Sequence, residues 1–192
     1  MQKKFVLTFL VVCTSISFAE TIWTDGFEDG NISDWTITGT ANWALYDNEF
    51  QAHTGDFSLQ YNYFAPWPHD TRAITPEFTL PAADGFDFTW WWSGSYNYFV
   101  QVDNGDSFTE IRDINGGNWI ELWCENDAGA YTGFEWYEQT EILDASWSGK
   151  TVQFAFHIIA TDAHYWYIDD IELSYTPNAL DHNTWGRIKA SI

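Results

Sequence analysis

Residues 164–175, HYWYIDDIELSY, set the strictest condition on the fold. Side chains alternate across a β-strand, so Tyr165, Tyr167, Asp169, Ile171, Leu173 and Tyr175 are expected on one face. That face is apolar except for Asp169. A carboxylate among such neighbours is costly unless a donor or a bound cation compensates it. The stretch lies near the end of the patterned part of the chain, so its partners must come from earlier segments.

Those segments read as short strands between turns. Residues 21–24 form a first strand closed by Asp25-Gly26, and 27–35 (FEDGNISDW) form a polar loop with apolar ends. Residues 43–46 and 57–63 read as strands joined through His53-Thr54-Gly55-Asp56. In the second, Phe57, Leu59 and Tyr61 alternate with Ser58, Gln60 and Asn62, a half-buried pattern. Extended structure resumes over 72–80 around Pro76. Residues 86–92 place Phe86, Phe88, Trp90 and Trp92 on one face. Further strands are expected at 98–102, ending at the turn 103–106, then at 118–124 and 134–142. In 151–159, Val152, Phe154, Phe156 and Ile158 alternate as in a central strand. No stretch holds an apolar helical period for three turns, and no internal repeat is visible. Many strands at short spacing predict an all-β, two-sheet antiparallel β-sandwich.

Charge narrows the partners. Seven Lys and Arg face 28 Asp and Glu, a formal net charge of −21. Such a chain repels phosphate backbones and anionic membranes, which argues against nucleic-acid partners. It suits solubility and hard cations such as calcium.

The ends differ from the middle. Lys3 and Lys4, the apolar run 5–12, and small residues at Ser17 and Ala19 read as a secretory signal peptide over 1–19. The apolar run is far shorter than the ~20 residues that span a bilayer. Its removal takes two lysines and no acid, moving the charge from −21 to −23. Cys13 leaves with it, and Cys124, flanked by Trp119 and Trp123, is expected as a buried apolar residue without a disulfide. The sandwich is expected over 20–176. Residues 177–192, PNALDHNTWGRIKASI without its strand pattern, read as a linker and short tail. Localisation is therefore expected to be secreted or cell-surface, with no membrane span in the mature chain.

Several motifs occur in a telling order: Phe27-Glu28-Asp29-Gly30 with Trp35, then His53-Thr54-Gly55-Asp56, Thr75-Pro76 before Phe88-Thr89-Trp90, Gly149-Lys150-Thr151-Val152 after Trp147, and Ile168-Asp169-Asp170-Ile171. This order resembles the MAM domain and its bacterial relatives, the cleaved-adhesin and choice-of-anchor J domains, over residues 21–175. The bacterial branch fits better, because MAM domains carry disulfides that this chain lacks. The resemblance implies a jelly roll that is non-catalytic and serves adhesion, glycan binding or protein contact. It also implies structural calcium, held by an early acid and the late acid pair.

The residues themselves offer candidate sites. Aromatics make up 20% of the chain, including 13 Trp, more than a core this size needs. Sugars stack on exposed rings, so Trp90, Trp91, Trp92, Trp136 and Tyr137 are the candidate platform. In a strand Trp91 must point away from Trp90 and Trp92, so one face of that triplet is expected in the core. A glycan or a cell-surface protein is the expected partner, the latter making an assembly module the alternative. No catalytic residue is assigned. No Glu-x-Asp-x-x-Glu, His-Glu-x-x-His or Gly-x-Ser-x-Gly motif occurs. Glu138 and Glu141 would serve sugar hydrolysis only if folded about 5 to 9 Å apart.

For calcium, pairing of the first and last strands would bring Glu28 towards Asp169, with Asp25 and Asp56 adding oxygens from adjoining turns. Asp170 joins only if the strand bulges or its carbonyl contributes. The alternative is that Arg72 or backbone amides satisfy Asp169.

Overall fold

The computed structural model describes residues 18–39, 43–62, 68–95, 105–161 and 165–177. The expected signal sequence and tail fall almost wholly outside these, as does the strand expected at 98–102. Twelve strands are described: β1 (Glu20–Asp25), β2 (Thr36–Gly39), β3 (Trp43–Asp47), β4 (Phe57–Tyr61), β5 (His69–Ile74), β6 (Phe78–Thr79), β7 (Ala83–Gly94), β8 (Gly105–Asp113), β9 (Ile120–Cys124), β10 (Tyr137–Asp144), β11 (Thr151–Ala160) and β12 (Trp166–Pro177). No described helix is long and apolar enough to cross a membrane.

The strands form two antiparallel sheets. Sheet I runs β10-β7-β12-β4-β3, with β1 also on β12. Sheet II runs β2-β5-β11-β8-β9, with β6 also on β11. The all-β sandwich expected from the strand pattern is what the chain forms. Alternation fills the space between the sheets: Phe86, Phe88, Trp90 and Trp92 of β7 meet Val152, Phe154, Phe156 and Ile158 of β11. Phe88 and Phe154 stack at 3.8 Å and 5° across the gap. Trp90 and Trp92 are 0% and 2% exposed, so they belong to the core and are not platform rings.

Two departures from the sequence reading matter. The sequence reading assigns no element to 107–113, where β8 continues and where Ser107, Thr109 and Glu110 are polar. All three are nevertheless buried within sheet II, Glu110 by its bonds to Arg72. The second departure is in β12. Trp166 and Ile168 face the core, and so do Ile171 and Leu173. A register shift against β7 between Asp169 and Glu172, with Asp170 at φ 43°, inverts the alternation. A bulge of this kind re-aims the side chains around it. The expected single face of Tyr165 to Tyr175 therefore breaks in two. Tyr165, Tyr167 and Asp169 lie on the side of sheet I away from the core.

Candidate functional site

Strand β12 changes partners where it bulges. Residues Trp166–Ile168 pair with β4, whereas Ile171, Glu172 and Leu173 pair with Asp25, Thr24 and Trp23 of β1. The first and last strands thus pair as expected, and Asp169-Asp170 sits in the gap between β4 and β1. The loop before β4 folds onto this gap. Asp169 Oδ2 accepts from the amides of His53 (2.8 Å) and Thr54 (3.3 Å), and Oδ1 accepts from the amide of Asp170 (2.7 Å). Asp170 Oδ1 accepts from Thr54 Oγ1 (2.8 Å), and Oδ2 lies 2.6 Å from His53 Nδ1. Backbone amides, not Arg72, are therefore what satisfy Asp169; Arg72 lies in sheet II bonded to Glu110.

The Asp169 carboxyl is fully buried, and that burial pushes its pKa up to about 7, with Asp170 adding in the same direction and the amides opposing. Gly26 faces the acid pair across the gap. A Cβ there would stand 3.1 Å from Asp170 Oδ1 and 3.9 Å from Asp169 Oδ1. Thr24, Asp25, Gly26, Asp170, Ile171 and Glu172 line a shallow depression of about 270 Å³.

The five residues expected around calcium divide into two groups. Asp169 and Asp170 converge beside Gly26, with Asp25 lining the same depression. Asp25 also accepts from the amide of Phe27 and from Trp35 Nε1, each at 2.9 Å. Glu28 and Asp56 are placed otherwise: Glu28 accepts from the amides of Asp56 (3.0 Å) and Phe57 (2.9 Å), stapling the first loop to the start of β4. Among the described residues no three His, Cys, Asp or Glu side chains converge as a metal cage. The buried Asp169 and its neighbour Asp170 fit a hard cation as a two-carboxylate corner, whose remaining oxygens would come from backbone and water.

A second feature lies on the outer side of sheet I. Tyr46 of β3 and Tyr167 of β12 approach at 5.9 Å, Tyr165 stacks beside Tyr167 at 6.2 Å, and Trp136 meets Tyr167 edge-on at 6.5 Å. With Phe134, Gln51, Gln60 and Asn62, these tyrosines line an open depression of about 390 Å³, its floor the buried Tyr167 and Gln60. Phe134 is 52% exposed and Tyr165 37%. Of the platform residues expected from sequence, Trp91 and Trp136 border this region. Trp91 is covered on one face by His53, stacked at 3.8 Å and 12°. Tyr137 turns to Trp92 and Tyr131 instead. The tyrosines of the cleft escaped sequence reading as binding rings. The polar row of Ser58 and Gln60 in β4, continued by Asn62 just after it, marks the same outer face and was the available signal.

A third cluster went unforeseen. Glu125, in the 3-10 turn after β9, is 1% exposed and accepts from Ser107 Oγ (2.7 Å) and from Tyr131 Oη. Burial pushes its pKa up to about 7. Next to it Cys124 is buried as expected, and burial followed by the bond to Asp106 pushes its thiol up to about 12.

No protein-family model matches the chain, and no curated protein matches it significantly. Solved structures do. The K3 cleaved adhesin domain of Lys-gingipain from Porphyromonas gingivalis is 22% identical with a TM-score of 0.58, covering 82% of this chain and 99% of that one. TmCBM61, solved with β-1,4-galactotriose, is 17% identical with a TM-score of 0.56, covering 78% and 93%. The CBM22-1 xylan-binding domain of Paenibacillus barcinonensis Xyn10C is 14% identical with a TM-score of 0.55, covering 86% and 100%. At these identities the likeness establishes the fold, a cleaved-adhesin-like jelly roll shared with carbohydrate-binding modules.

Proposed function

We propose that this domain is an exported, non-catalytic glycan-binding module. Its ligand lies in the aromatic cleft on the outer side of sheet I. The observation that carries the reading is the convergence of the exposed rings of Tyr165 and Phe134 with Tyr46, Gln51 and Asn62 around an open depression whose buried floor is Tyr167 and Gln60. Rings supply the apolar faces of sugars with a partner, and amides both donate to and accept from hydroxyl groups. Two structural neighbours being carbohydrate-binding modules supports the same reading.

A hydrolase reading has less to stand on. Glu138 and Glu141 pair with Trp91 and Phe88, which face opposite sides of sheet I, so alternation separates the two carboxylates. Asp169 and Asp170 are engaged by the loop that covers them. The reading includes a stabilising calcium ion at the Asp169–Asp170 corner. Its support is that Asp170 and Asp25 line one depression beside Gly26, and an ionised carboxylate that accepts hydrogen bonds keeps further lone pairs for a cation.

The test is a glycan array followed by titration of the best ligand into wild type, Tyr165→Ala and Phe134→Ala. Both side chains are exposed, so their loss should leave the melting temperature nearly unchanged while binding falls at least about tenfold, the loss of one good stacking contact. No binding across a broad panel, or binding indifferent to both substitutions, would move the function to a protein partner or the site elsewhere.

A further inference from the structure

Among the described residues the chain has three cations, Arg72, Arg112 and Lys150. On the outer side of sheet II, Arg72 is neutralised. Its Nε donates to Glu110 Oε2 at 2.8 Å, and its Nη1 lies 3.6 Å from Asp70. His157 bridges the same two carboxylates at 2.9 and 3.2 Å. Arg112, one alternation further along β8, is treated differently. Its Nε (3.2 Å) and Nη2 (2.6 Å) both donate to Gln153 Oε1, a neutral acceptor. It forms no ion pair among the described residues, in a chain where acids outnumber bases 28 to seven.

The guanidinium is nonetheless held in place. Gln153 is 8% exposed, and its own Nε2 donates to the Thr75 carbonyl at 3.1 Å, which fixes the amide. The Trp119 ring lies 4.5 Å from the Arg112 guanidinium and 5.8 Å from that of Arg72. The end-on edge of the guanidinium, Nη1 with the second N–H of Nη2, meets no acceptor among the described residues. Fixing a long side chain costs rotamer freedom, and among the described residues no anion pairs with it in return. A planar fork fixed with free donors matches a carboxylate.

We propose that Arg112, backed by Gln153 and Trp119, is a carboxylate-binding subsite that takes a uronic acid unit of an otherwise neutral glycan. The net charge of −21 repels dense polyanions. A single carboxylate feels mainly the local guanidinium, because exposed charges beyond about 8 Å are screened at physiological salt. The indole of Trp119 beside the fork favours a sugar ring over a bare anion. The choice of a sugar rests on the glycan reading above. The subsite itself does not, and it lies on the opposite sheet from the tyrosine cleft.

The experiment is nitrogen NMR of the arginine side chains of the folded protein, titrated with D-glucuronate, D-glucose and inorganic sulfate at constant ionic strength. One arginine Nε resonance should shift saturably with glucuronate, with Kd on the order of 1 mM, and not with glucose. Arg112→Gln removes that resonance and so assigns it; followed through the Trp119 indole N–H instead, glucuronate affinity should fall at least about tenfold in Arg112→Gln and stay intact in Tyr165→Ala. Should Arg112→Gln misfold by circular dichroism, Arg112→Lys replaces it: it keeps the charge without the fork and should also lose saturation. Absence of a saturable shift, or a shift that survives both Arg112 variants, would overturn the subsite. An equal response to sulfate, or a stronger one to a glutamate-containing peptide, would overturn its assignment to a sugar acid. Loss of neutral-glycan binding in Tyr165→Ala with no glucuronate response would overturn this inference alone.

Discussion

Replacing Glu125 by Gln should stabilise the protein, and only above a definite pH. Among the described residues the buried Glu125 carboxyl has two hydroxyl partners and no cation, and burial moves its pKa from 4.5 to about 7. Between those values the folded state holds a proton that the unfolded chain releases. Folding stability therefore falls as pH rises through that window, and the cost is complete above about pH 7. A shift of that size corresponds to about 3 kcal/mol at pH 8 and to nothing near pH 4. The amide in Glu125→Gln has the same shape. Its oxygen and its NH₂ can both be matched, because the Ser107 and Tyr131 hydroxyls each donate or accept. Wild type and variant should thus unfold alike near pH 4, and the variant should gain about 3 kcal/mol by pH 8, roughly 10 °C in Tm for a domain this size. Urea unfolding followed by tryptophan fluorescence from pH 4 to 9 measures the difference directly. A variant that is less stable at pH 8, or a difference that does not change with pH, would refute the reasoning.

Other substitutions separate core from surface. Trp90→Ala should cost about 3–5 kcal/mol in urea unfolding, as for a large buried ring, whereas Trp91→Ala, half-buried on the outer side, should cost clearly less. Gly55→Ala should lose about 1–3 kcal/mol, because Gly55 has φ +66° and a Cβ would stand 2.1 Å from the Glu28 carboxyl carbon. Calcium at 100 times its Kd should raise wild-type stability by about 2.7 kcal/mol, chelator should reverse it, and Asp169→Ala should abolish the response. A wild-type melting curve indifferent to chelator would sink that expectation.

How much of this was legible depended on which interactions run along the chain. Alternation in 57–63, 86–92 and 151–159 reported strands correctly, because each has one face in the core. It failed at β8, where Glu110 is buried by Arg72, a residue 38 positions away. It also failed at Asp169-Asp170, where the bulge inverts the face; no local pattern announces a positive φ at an Asp. The sequence did state the condition for Asp170 to join Asp169, a bulged strand, and the φ of 43° at Asp170 meets it. The aromatic surplus was visible but its division was not. Three consecutive tryptophans must send two rings to one side, yet which side is core depends on the facing sheet. The tyrosine cleft draws on β3, β4, β12 and the residue-134 turn, and the Glu125 cluster joins Ser107, Glu125 and Tyr131. Neither grouping exists until the strands are ordered.

The bulge and the cleft are joined by one loop, which gives a last prediction. Gln51 lines the cleft, and His53, two residues on, stacks on Trp91 and approaches Trp136 at 5.7 Å. The same His53 is held by Asp169 through its amide and by Asp170 through its ring. Tyr167, a cleft residue, precedes Asp169 by one alternation on the same side of β12. A change at Asp170 should therefore reach the cleft without touching the ligand. Asp170→Ala removes the acceptors for His53 and Thr54 but leaves the amide bonds to Asp169, so the loop should loosen and not detach. Two lost hydrogen bonds of about 1 kcal/mol each, if half their effect reaches the loop's bound position, weaken glycan binding roughly fivefold. Hydrogen exchange should rise at the His53 and Thr54 amides in the same variant. Weaker binding with unchanged exchange would mean that Asp170 touches the ligand itself, and faster exchange with unchanged binding would mean that the loop does not shape the cleft.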